Sequence, residues 1–269
     1  MAPTSILSGV LLLLHGVHGL TGKRGIAYNN NNPSSDAVYA NLFKGDNKVS
    51  WGYDWGFPSW NLDSSFEFVP MLWGLPNGPD TDWTAAVQTP GTFNVLGFNE
   101  PDLTYDASSN IVPEKAAAGY LTYIQPFAGT VRIGSPSVLW NNVGSSSGGA
   151  YNTATWTQYF LGNCTGCHLD FAAIHYYQDC VTPEGQNGAA WFEGNVTNAH
   201  DALGLPIWIT EFECYGNEEQ QIAFLEHALP WLDSQDYVER YAYFGAFPEY
   251  LINADGTALS DLGNAYANI

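Results

Sequence analysis

Short apolar runs recur along the chain and are separated by polar segments with helical character. Eight of these runs are rich in β-branched and aromatic residues, as β-strands are: RGIAY, VSWGYDW, FEFVPMLW, TFNVLGFNE, VRIGSPSV, LDFAAIHYY, PIWITEFE and VERYAYFGAF. Strands that alternate with helices predict a parallel sheet, and eight such units close into an α/β fold, the (β/α)8 TIM barrel. A flavodoxin-like open sheet is the alternative, although that fold normally has fewer strands and about 150 residues.

Two of the intervening segments carry the clearest helix signals. VPEKAAAGYLTYI places Pro113 in a first turn, where a missing N–H costs nothing. NEEQQIAFLEHAL begins with Asn217 as the predicted N-cap and then puts Ile222, Leu225 and Leu229 on one stripe. The helix expected near FPSWNLDSS, between the second and third strands, has the weakest pattern.

The amino terminus predicts export. Residues 1–20, MAPTSILSGVLLLLHGVHGL, resemble a secretory signal, because the apolar core is too short to span a bilayer and small residues follow it. We therefore expect a signal peptide at 1–20 and a single barrel domain at 21–269, located outside the cell or in the cell wall. In a secreted chain, the N-x-T sequons at Asn163 and Asn195 are candidate glycosylation sites.

Charge and aromatic content narrow the class of partner. The chain has 27 Asp plus Glu against 7 Lys plus Arg, a net charge of −20, which disfavours nucleic acid and anionic membranes as partners. A core absorbs many of its 10 Trp, 16 Tyr and 14 Phe, but Trp residues clustered near loops suggest stacking on sugar rings. The charge and the aromatic residues suggest a sugar ligand without naming it, and we expect a monomeric protein.

Four cysteines in a secreted chain predict two disulfides, for which three connectivities exist. The C-T-G-C segment lacks the second pair of ligands that a zinc site would need. Cys180 and Cys214 each follow a predicted strand by a few residues, so we expect the pairs Cys164–Cys167 and Cys180–Cys214. We expect no metal ion or other cofactor.

Two glutamates stand at predicted strand ends. Active sites of this fold lie at the carboxyl ends of the strands. Glu100 ends the fourth strand in GFNEPD, and Glu211 ends the seventh in WITEFE, across the mouth of the barrel. Either one alone could be a solvated strand end, but two facing carboxyls are what glycoside hydrolysis requires. Glu213 would point to the same side as Glu211, and we expect it beyond the strand end, beside Cys214.

The neighbours of these glutamates add expectations about geometry. Asn99 and Glu100 are consecutive, so both can face the mouth only if the strand ends or bulges at 98–100, which Pro101 favours. His175, at the end of the sixth strand, is either a buried histidine bonded to backbone or, like Tyr177, a donor to Glu211. The aromatic and polar residues expected to contact substrate are Asn99, Tyr28, Trp55, Trp140, His175 and Tyr177.

The order of these motifs resembles a known family. GFNEPD followed by WITEF is similar to the clan A glycoside hydrolases. Together with KRGIAYN, WGYDW, FVPMLW and IHYY, it resembles glycoside hydrolase family 128 throughout the mature chain. That family consists of β-1,3-glucanases with a barrel core, many of them fungal. The resemblance implies that Glu100 is the acid/base, that Glu211 is the nucleophile and that Asn99 contacts the 2-hydroxyl of the sugar being cleaved.

One position departs from the clan. Many members end the eighth strand with Trp, where this chain offers Tyr243, Phe244 and Phe247.

The expected function is that of a secreted retaining endo-β-1,3-glucanase. The alternatives are another clan A activity, such as a β-1,4-glucanase or a mannanase, and a noncatalytic sugar-binding barrel.

Charged residues also cluster at the opposite end of the predicted barrel. Near the starts of strands one, five and eight lie three arginines, and three acids flank strands at the same end. These residues are Arg24, Arg132 and Arg240, with Glu67, Asp170 and Glu239. We expect ion pairs between them that close the bottom of the barrel.

Overall fold

The computed structural model describes residues 22–29, 36–45, 47–141 and 151–269. The predicted signal peptide at 1–20 and most of the polar segments NNNNP and GSSSGG lie outside these residues. In the described part, none of the helices combines the length and the apolar character needed to cross a bilayer.

Parallel strands form the centre of the fold. A seven-stranded sheet has the order β3-β2-β1-β9-β8-β7-β6, and β4 pairs with β5. The strands are β1 (Arg24–Tyr28), β2 (Val49–Tyr53), β3 (Glu67–Phe68), β4 (Asn94–Val95), β5 (Arg132–Ile133), β6 (Val138–Leu139), β7 (Ala172–Asp179), β8 (Ile207–Tyr215) and β9 (Val238–Ala246).

Isolated bridges close these strands into a barrel. Met71 pairs with Leu96, which joins β3 to β4, and Gly134 pairs with Phe171, which joins β5 to β7. Because β5 and β6 are two pieces of one barrel strand, interrupted around Pro136, the nine segments make the eight strands expected from the sequence. The predicted α/β barrel is confirmed.

Helices surround the barrel: α1 (Thr81–Val87), α2 (Pro113–Gly119), α3 (Thr153–Asn163), α4 (Ala189–Leu203), α5 (Glu218–Ser234) and α6 (Asp261–Asn268). Pro113 starts α2, and Asn217 caps α5 in a capping box with Gln220, both as predicted. The helix expected near FPSWNLDSS is wrong, since residues 57–66 form turns. Trp60 and Asn61 have φ values of 49° and 57° there, which an α-helix does not permit.

The barrel interior is filled by small side chains on one strand that pack beside large side chains on the neighbouring strands. On β1 the inward positions are Gly25 and Ala27, and the large rings of Trp51 and Trp208 occupy the space beside them. A Cβ on Gly25 would lie 2.1 Å from the Trp51 ring, so only glycine fits there.

Two ion pairs close the bottom of the barrel, as expected. Both Glu239 carboxylate oxygens accept from Arg132, at 3.0 and 2.7 Å, and Arg240 donates to Glu67. The Arg240 guanidinium also lies 4.5 Å from the centre of the Trp208 ring. We call Arg132, Glu239, Arg240 and Glu67 the barrel floor.

Two other residues expected in the barrel floor pair elsewhere. Arg24 turns to the outer face of β1, where it lies 3.6 Å from Asp233. Asp170 accepts a hydrogen bond from the Ile133 backbone N–H instead of pairing with an arginine. Both differences arise because successive strand residues face opposite sides of the barrel wall.

Two disulfides join the expected pairs of cysteines. Cys164–Cys167 closes a short turn after α3, and Cys180–Cys214 ties the end of β7 to β8. The second disulfide therefore joins the two strands that carry His175 and Glu211.

Candidate active site

Glu100 sits where the chain leaves strand geometry. Its φ is +44°, in the left-handed region that a glutamate rarely adopts, and its N–H donates to the Ser137 carbonyl at 2.7 Å. Asn99 just before it still forms a parallel bridge with Ser137. The predicted strand end at 98–100 is confirmed, and such strain concentrates at functional sites.

Glu211 lies inside β8 and not at its end, because the strand continues to Tyr215. The expectation that Glu211 ends the strand, and that Glu213 lies beyond it, is therefore wrong. The pairing with β9 shifts register between Ile209 and Phe212. Such a bulge re-aims side chains, and Glu211 is buried opposite its register partner His175 on β7.

The two carboxyls face each other across one imidazole. His175 Nδ1 lies 2.8 Å from Glu100 Oε1 and 3.3 Å from Glu211 Oε2. One oxygen of each carboxyl and this nitrogen all lie within 4.8 Å of one another. His175 is fully buried, so the structure places it beneath the carboxyls and not on the substrate-facing surface where it was expected.

Aromatic donors hold Glu211. Trp55 Nε1 donates to Oε1 at 2.6 Å, and Tyr177 donates its hydroxyl to Oε2 at 2.6 Å. The Tyr53 hydroxyl lies 3.4 Å from Oε1. Trp55 has a φ of 60°, so a strained backbone presents its indole N–H to the carboxyl.

Burial and charge set the protonation of this cluster. Burial, together with the neighbouring charge of Glu100, raises the pKa of Glu211, although His175 and the two donors oppose the shift. Burial opposes protonation of His175, but the carboxyls of Glu211 and Glu100 outweigh it and raise the pKa of the imidazole. The cluster therefore tends to retain protons, which suits a site that must deliver one.

Tyr105 is a neighbour of the site that the sequence did not single out. It lies half-exposed on the loop after Glu100 and donates its hydroxyl to Glu100 Oε2. Nearby, Asp102 is fully buried, accepts from the Thr153 hydroxyl at 2.6 Å, and has its pKa raised to about 6 by burial. Because these residues lie in turns, the sequence pattern does not predict the contact of Tyr105 with Glu100 or that of Asp102 with Thr153.

Asn99 keeps an unused acceptor beside Glu100. Its amide nitrogen donates to the Ala107 carbonyl at 3.3 Å, whereas the buried Oδ1 has no hydrogen-bond partner within the described residues. Buried acceptors are normally paired, so this oxygen is available to a hydroxyl of a bound ligand.

Two residues expected to contact substrate lie elsewhere. Tyr28 is 0% exposed on the outer face of β1, and its hydroxyl donates to the Ser59 carbonyl, so it cannot line the mouth. The Trp140 indole donates to Asn198 on α4 at 3.1 Å, which turns it toward the helices and away from the carboxyls.

The two sequons differ in accessibility. Asn163 is exposed at the end of α3. Asn195 is half-buried in α4, where its amide donates to the Tyr176 hydroxyl at 3.2 Å. Glycosylation at either site stays a prediction.

Aromatic rings surround the mouth on the Glu211 side. Phe244 lies with its ring centre 5.9 Å from Trp55 and 6.0 Å from Tyr177, and Phe247 and Tyr250 pack against it. Tyr243 faces outward instead and bonds to Gln221. Phe244, on β9, is therefore the residue of the eighth barrel strand that faces the site.

Glu100, His175 and Glu211 are also the residues whose ligand atoms could hold a metal ion in the described chain. Each of the four carboxylate oxygens already has a protein partner. Trp55 and Tyr177 donate to the two oxygens of Glu211, and Tyr105 and His175 contact the two oxygens of Glu100. This hydrogen bonding fits a pair of acid and base groups better than a metal centre.

Comparisons with known proteins agree with this geometry. Residues 25–266 match the family model of the glycosyl hydrolase catalytic core. Alkali-sensitive linkage protein 1 of Schizosaccharomyces pombe (strain 972) is 31% identical over 274 residues, which cover 92% of this chain and 44% of that protein. The chain thus spans less than half the length of this curated relative.

Solved structures cover nearly the whole chain. A curdlan-specific exo-β-1,3-glucanase of glycoside hydrolase family 128 from Blastomyces gilchristii is 38% identical, with a TM-score of 0.75 over 93% of this chain and 99% of that one. An endo-β-1,3-glucanase of the same family from Sorangium cellulosum is 27% identical, with a TM-score of 0.74 over 91% and 97%. Because the matches run from the first barrel strand to the last helix, this chain is a glycoside hydrolase that belongs to the glycosyl hydrolase catalytic core and, within it, to family 128.

Proposed function

We propose that this chain is a retaining β-1,3-glucanase in which Glu211 is the nucleophile and Glu100 the acid/base. The spacing of the two carboxyls carries the proposal, since an oxygen of each lies within 4.8 Å of the other. Retaining enzymes separate their carboxyls by about 5–5.5 Å, whereas inverting enzymes need about 6.5–9.5 Å to admit a water.

The reaction proceeds in two displacements. In the first, Glu100 gives its proton to the glycosidic oxygen while Glu211 attacks the anomeric carbon, which forms a covalent glycosyl-enzyme. In the second, Glu100 takes a proton from the attacking water, and Glu211 leaves as a carboxylate. Trp55 and Tyr177 orient Glu211 and stabilise the charge that returns to it.

His175 makes the close approach of the two carboxyls tolerable. Two carboxylates at this distance repel each other in a buried site. An imidazole with a raised pKa between them supplies a proton and a positive charge to the pair. We infer that His175 is a positioning residue that does not touch the sugar.

The relatives support β-1,3-glucan as the substrate. The Blastomyces gilchristii enzyme is described as curdlan-specific and was solved with glucose, and the aromatic mouth of this chain suits stacking on pyranose rings. Laminarin and curdlan should be hydrolysed faster than cellulose or mannan, with reducing ends measured for each. Preferred cleavage of cellulose or mannan would favour the other clan A activities. Sugar binding without hydrolysis would favour a noncatalytic barrel.

The cleavage mode is proposed to be endo. Laminarihexaose labelled at its reducing end should yield labelled products of several lengths at early times. The exo mode is the second candidate, because the relative at 38% identity is described as an exo enzyme. Early release of glucose alone, from the unlabelled end, would establish the exo mode and leave the retaining mechanism untouched.

Export is also part of the proposal. Two disulfides support an oxidising compartment outside the cytosol. Mass spectrometry of the protein from the culture medium should find a mature chain that starts near residue 21, and size-exclusion chromatography should find a monomer. Retention inside the cell with an intact amino terminus would contradict the export.

A further inference from the structure

Glu213 lies inside the mouth of the barrel. On β8 its neighbours Phe212 and Cys214 belong to the outer core between strands and helices, so Glu213 faces inward. It stands two residues beyond Glu211, on the same face of the strand, and its register partner on β7 is Tyr177.

Among the described residues, no protein group pairs with the carboxyl of Glu213. It is 8% exposed, and within the described residues it makes no hydrogen bond or ion pair. Burial raises its pKa to about 7. Glu211, by contrast, receives hydrogen bonds from Trp55 and Tyr177. Most of this side chain is buried, and its carboxyl oxygens are left to solvent at the mouth, where hydroxyl groups of a ligand can complete their hydrogen bonds.

Two exposed aromatic rings lie at the same mouth as this carboxyl. Tyr215 stacks on Tyr177 with ring centres 6.0 Å apart, and Tyr250 packs edge-on against Phe244 at 6.0 Å. Tyr215 is 55% exposed and Tyr250 42% exposed, so both present ring surface to the solvent. A carboxylate that accepts from hydroxyls, beside open aromatic faces, is the combination that binds a pyranose.

We propose that Glu213 binds hydroxyl groups of a glucosyl unit adjacent to the one being cleaved, and that Tyr215 and Tyr250 form the walls of this subsite. The inference rests on the proposed β-1,3-glucanase function. Glu213 takes no part in the bond-breaking step, since Glu211 already has the donors that a nucleophile needs, whereas no described residue donates to Glu213. Its effect is therefore on substrate affinity and on the chain length that the enzyme prefers.

The test compares Glu213→Gln and Glu213→Ala with the wild type on oligosaccharides from laminaribiose to laminarihexaose. Loss of a hydrogen bond to a charged group should raise KM about tenfold on chains that reach the subsite, with kcat nearly unchanged. The shortest substrates should be affected least. Glu193→Gln is the matched control, because burial also raises the pKa of this α4 carboxyl, which lies outside the mouth.

Each other outcome would overturn the inference. Unchanged kcat/KM at every length would show that Glu213 does not contact substrate. An equal fall in kcat at every length would place it in the chemical step. The conservative Glu213→Gln keeps the test valid if the alanine variant fails to fold, and its melting temperature should equal or exceed that of the wild type. If the wild type leaves all laminari-oligosaccharides intact, the proposed function fails first, and the glucan subsite fails with it.

Discussion

At the scale of single residues, the proposed nucleophile Glu211 depends on its hydrogen-bond donors. Tyr177→Phe removes a hydrogen bond to the charged form of Glu211, so the pKa of Glu211 should rise further. The acidic limb of the kcat/KM profile should shift to higher pH, and kcat should fall by about 10-fold or more. Tyr176→Phe is the control, since this neighbouring hydroxyl faces outward and bonds to Gln178. Equal pH profiles for wild type and Tyr177→Phe would contradict the role of the donor.

Sequence reasoning placed Glu100 and Glu211 at the same end of the barrel, where the two carboxyls do approach one imidazole, although Glu211 lies inside β8 and not at its end. It misplaced Tyr28, because it considered only that Tyr28 ends a strand and not the alternation of side chains between the two faces of that strand. Tyr28 is two residues after Ile26, so both lie on the outer face of β1. Tyr105 could not be foreseen, because its contact with Glu100 depends on the path of a loop.

At the scale of elements, the barrel floor should contribute stability without affecting catalysis. Arg132→Met leaves the Glu239 carboxyl without its guanidinium partner, although the Trp208 indole still donates to it at 2.9 Å. The free energy of unfolding should fall by about 1–3 kcal/mol. The kcat of the folded enzyme should stay the same, because the active site lies at the other end of the strands. A large fall in kcat at an unchanged melting temperature would refute this division.

The sequence predicted which elements exist better than where they end. Apolar runs with β-branched residues revealed all eight barrel strands, since burial on both faces dictates that pattern. The split of the fifth strand near Pro136 and the turns at residues 57–66 depend on tertiary contacts. For the same reason, the sequence did not predict that β8 extends past Glu211 to Tyr215, since acidic residues are uncommon inside strands.

At the scale of the whole molecule, buried carboxyls should make the protein most stable in mild acid. Burial raises the pKa of Asp54 to about 7, of Asp102 to about 6 and of Glu213 to about 7. The native state then binds more protons than the unfolded state between about pH 4 and 7, so stability falls as pH rises through that window. Calorimetry should find a melting temperature several degrees higher near pH 5 than near pH 7.5.

The net charge of −20 acts in the same direction, because repulsion grows as carboxyls ionise. High salt screens the surface charges but not the buried ones, so most of the pH dependence should survive it. The double variant Asp54→Asn with Glu213→Gln should flatten the curve. A melting temperature that rises from pH 5 to pH 7.5 would contradict the account.

The central claim is that Glu211 is the nucleophile of a retaining mechanism and Glu100 its acid/base. The most direct test is the anomeric configuration of the glycosyl azide that forms when azide is added to Glu211→Ala with an aryl β-laminarioside. Azide should take the place of the missing carboxylate and give the α-azide, whereas in Glu100→Ala it should attack the glycosyl-enzyme and give the β-azide. If NMR instead shows the β-azide from Glu211→Ala and the α-azide from Glu100→Ala, the two glutamates have the opposite roles and the account is wrong.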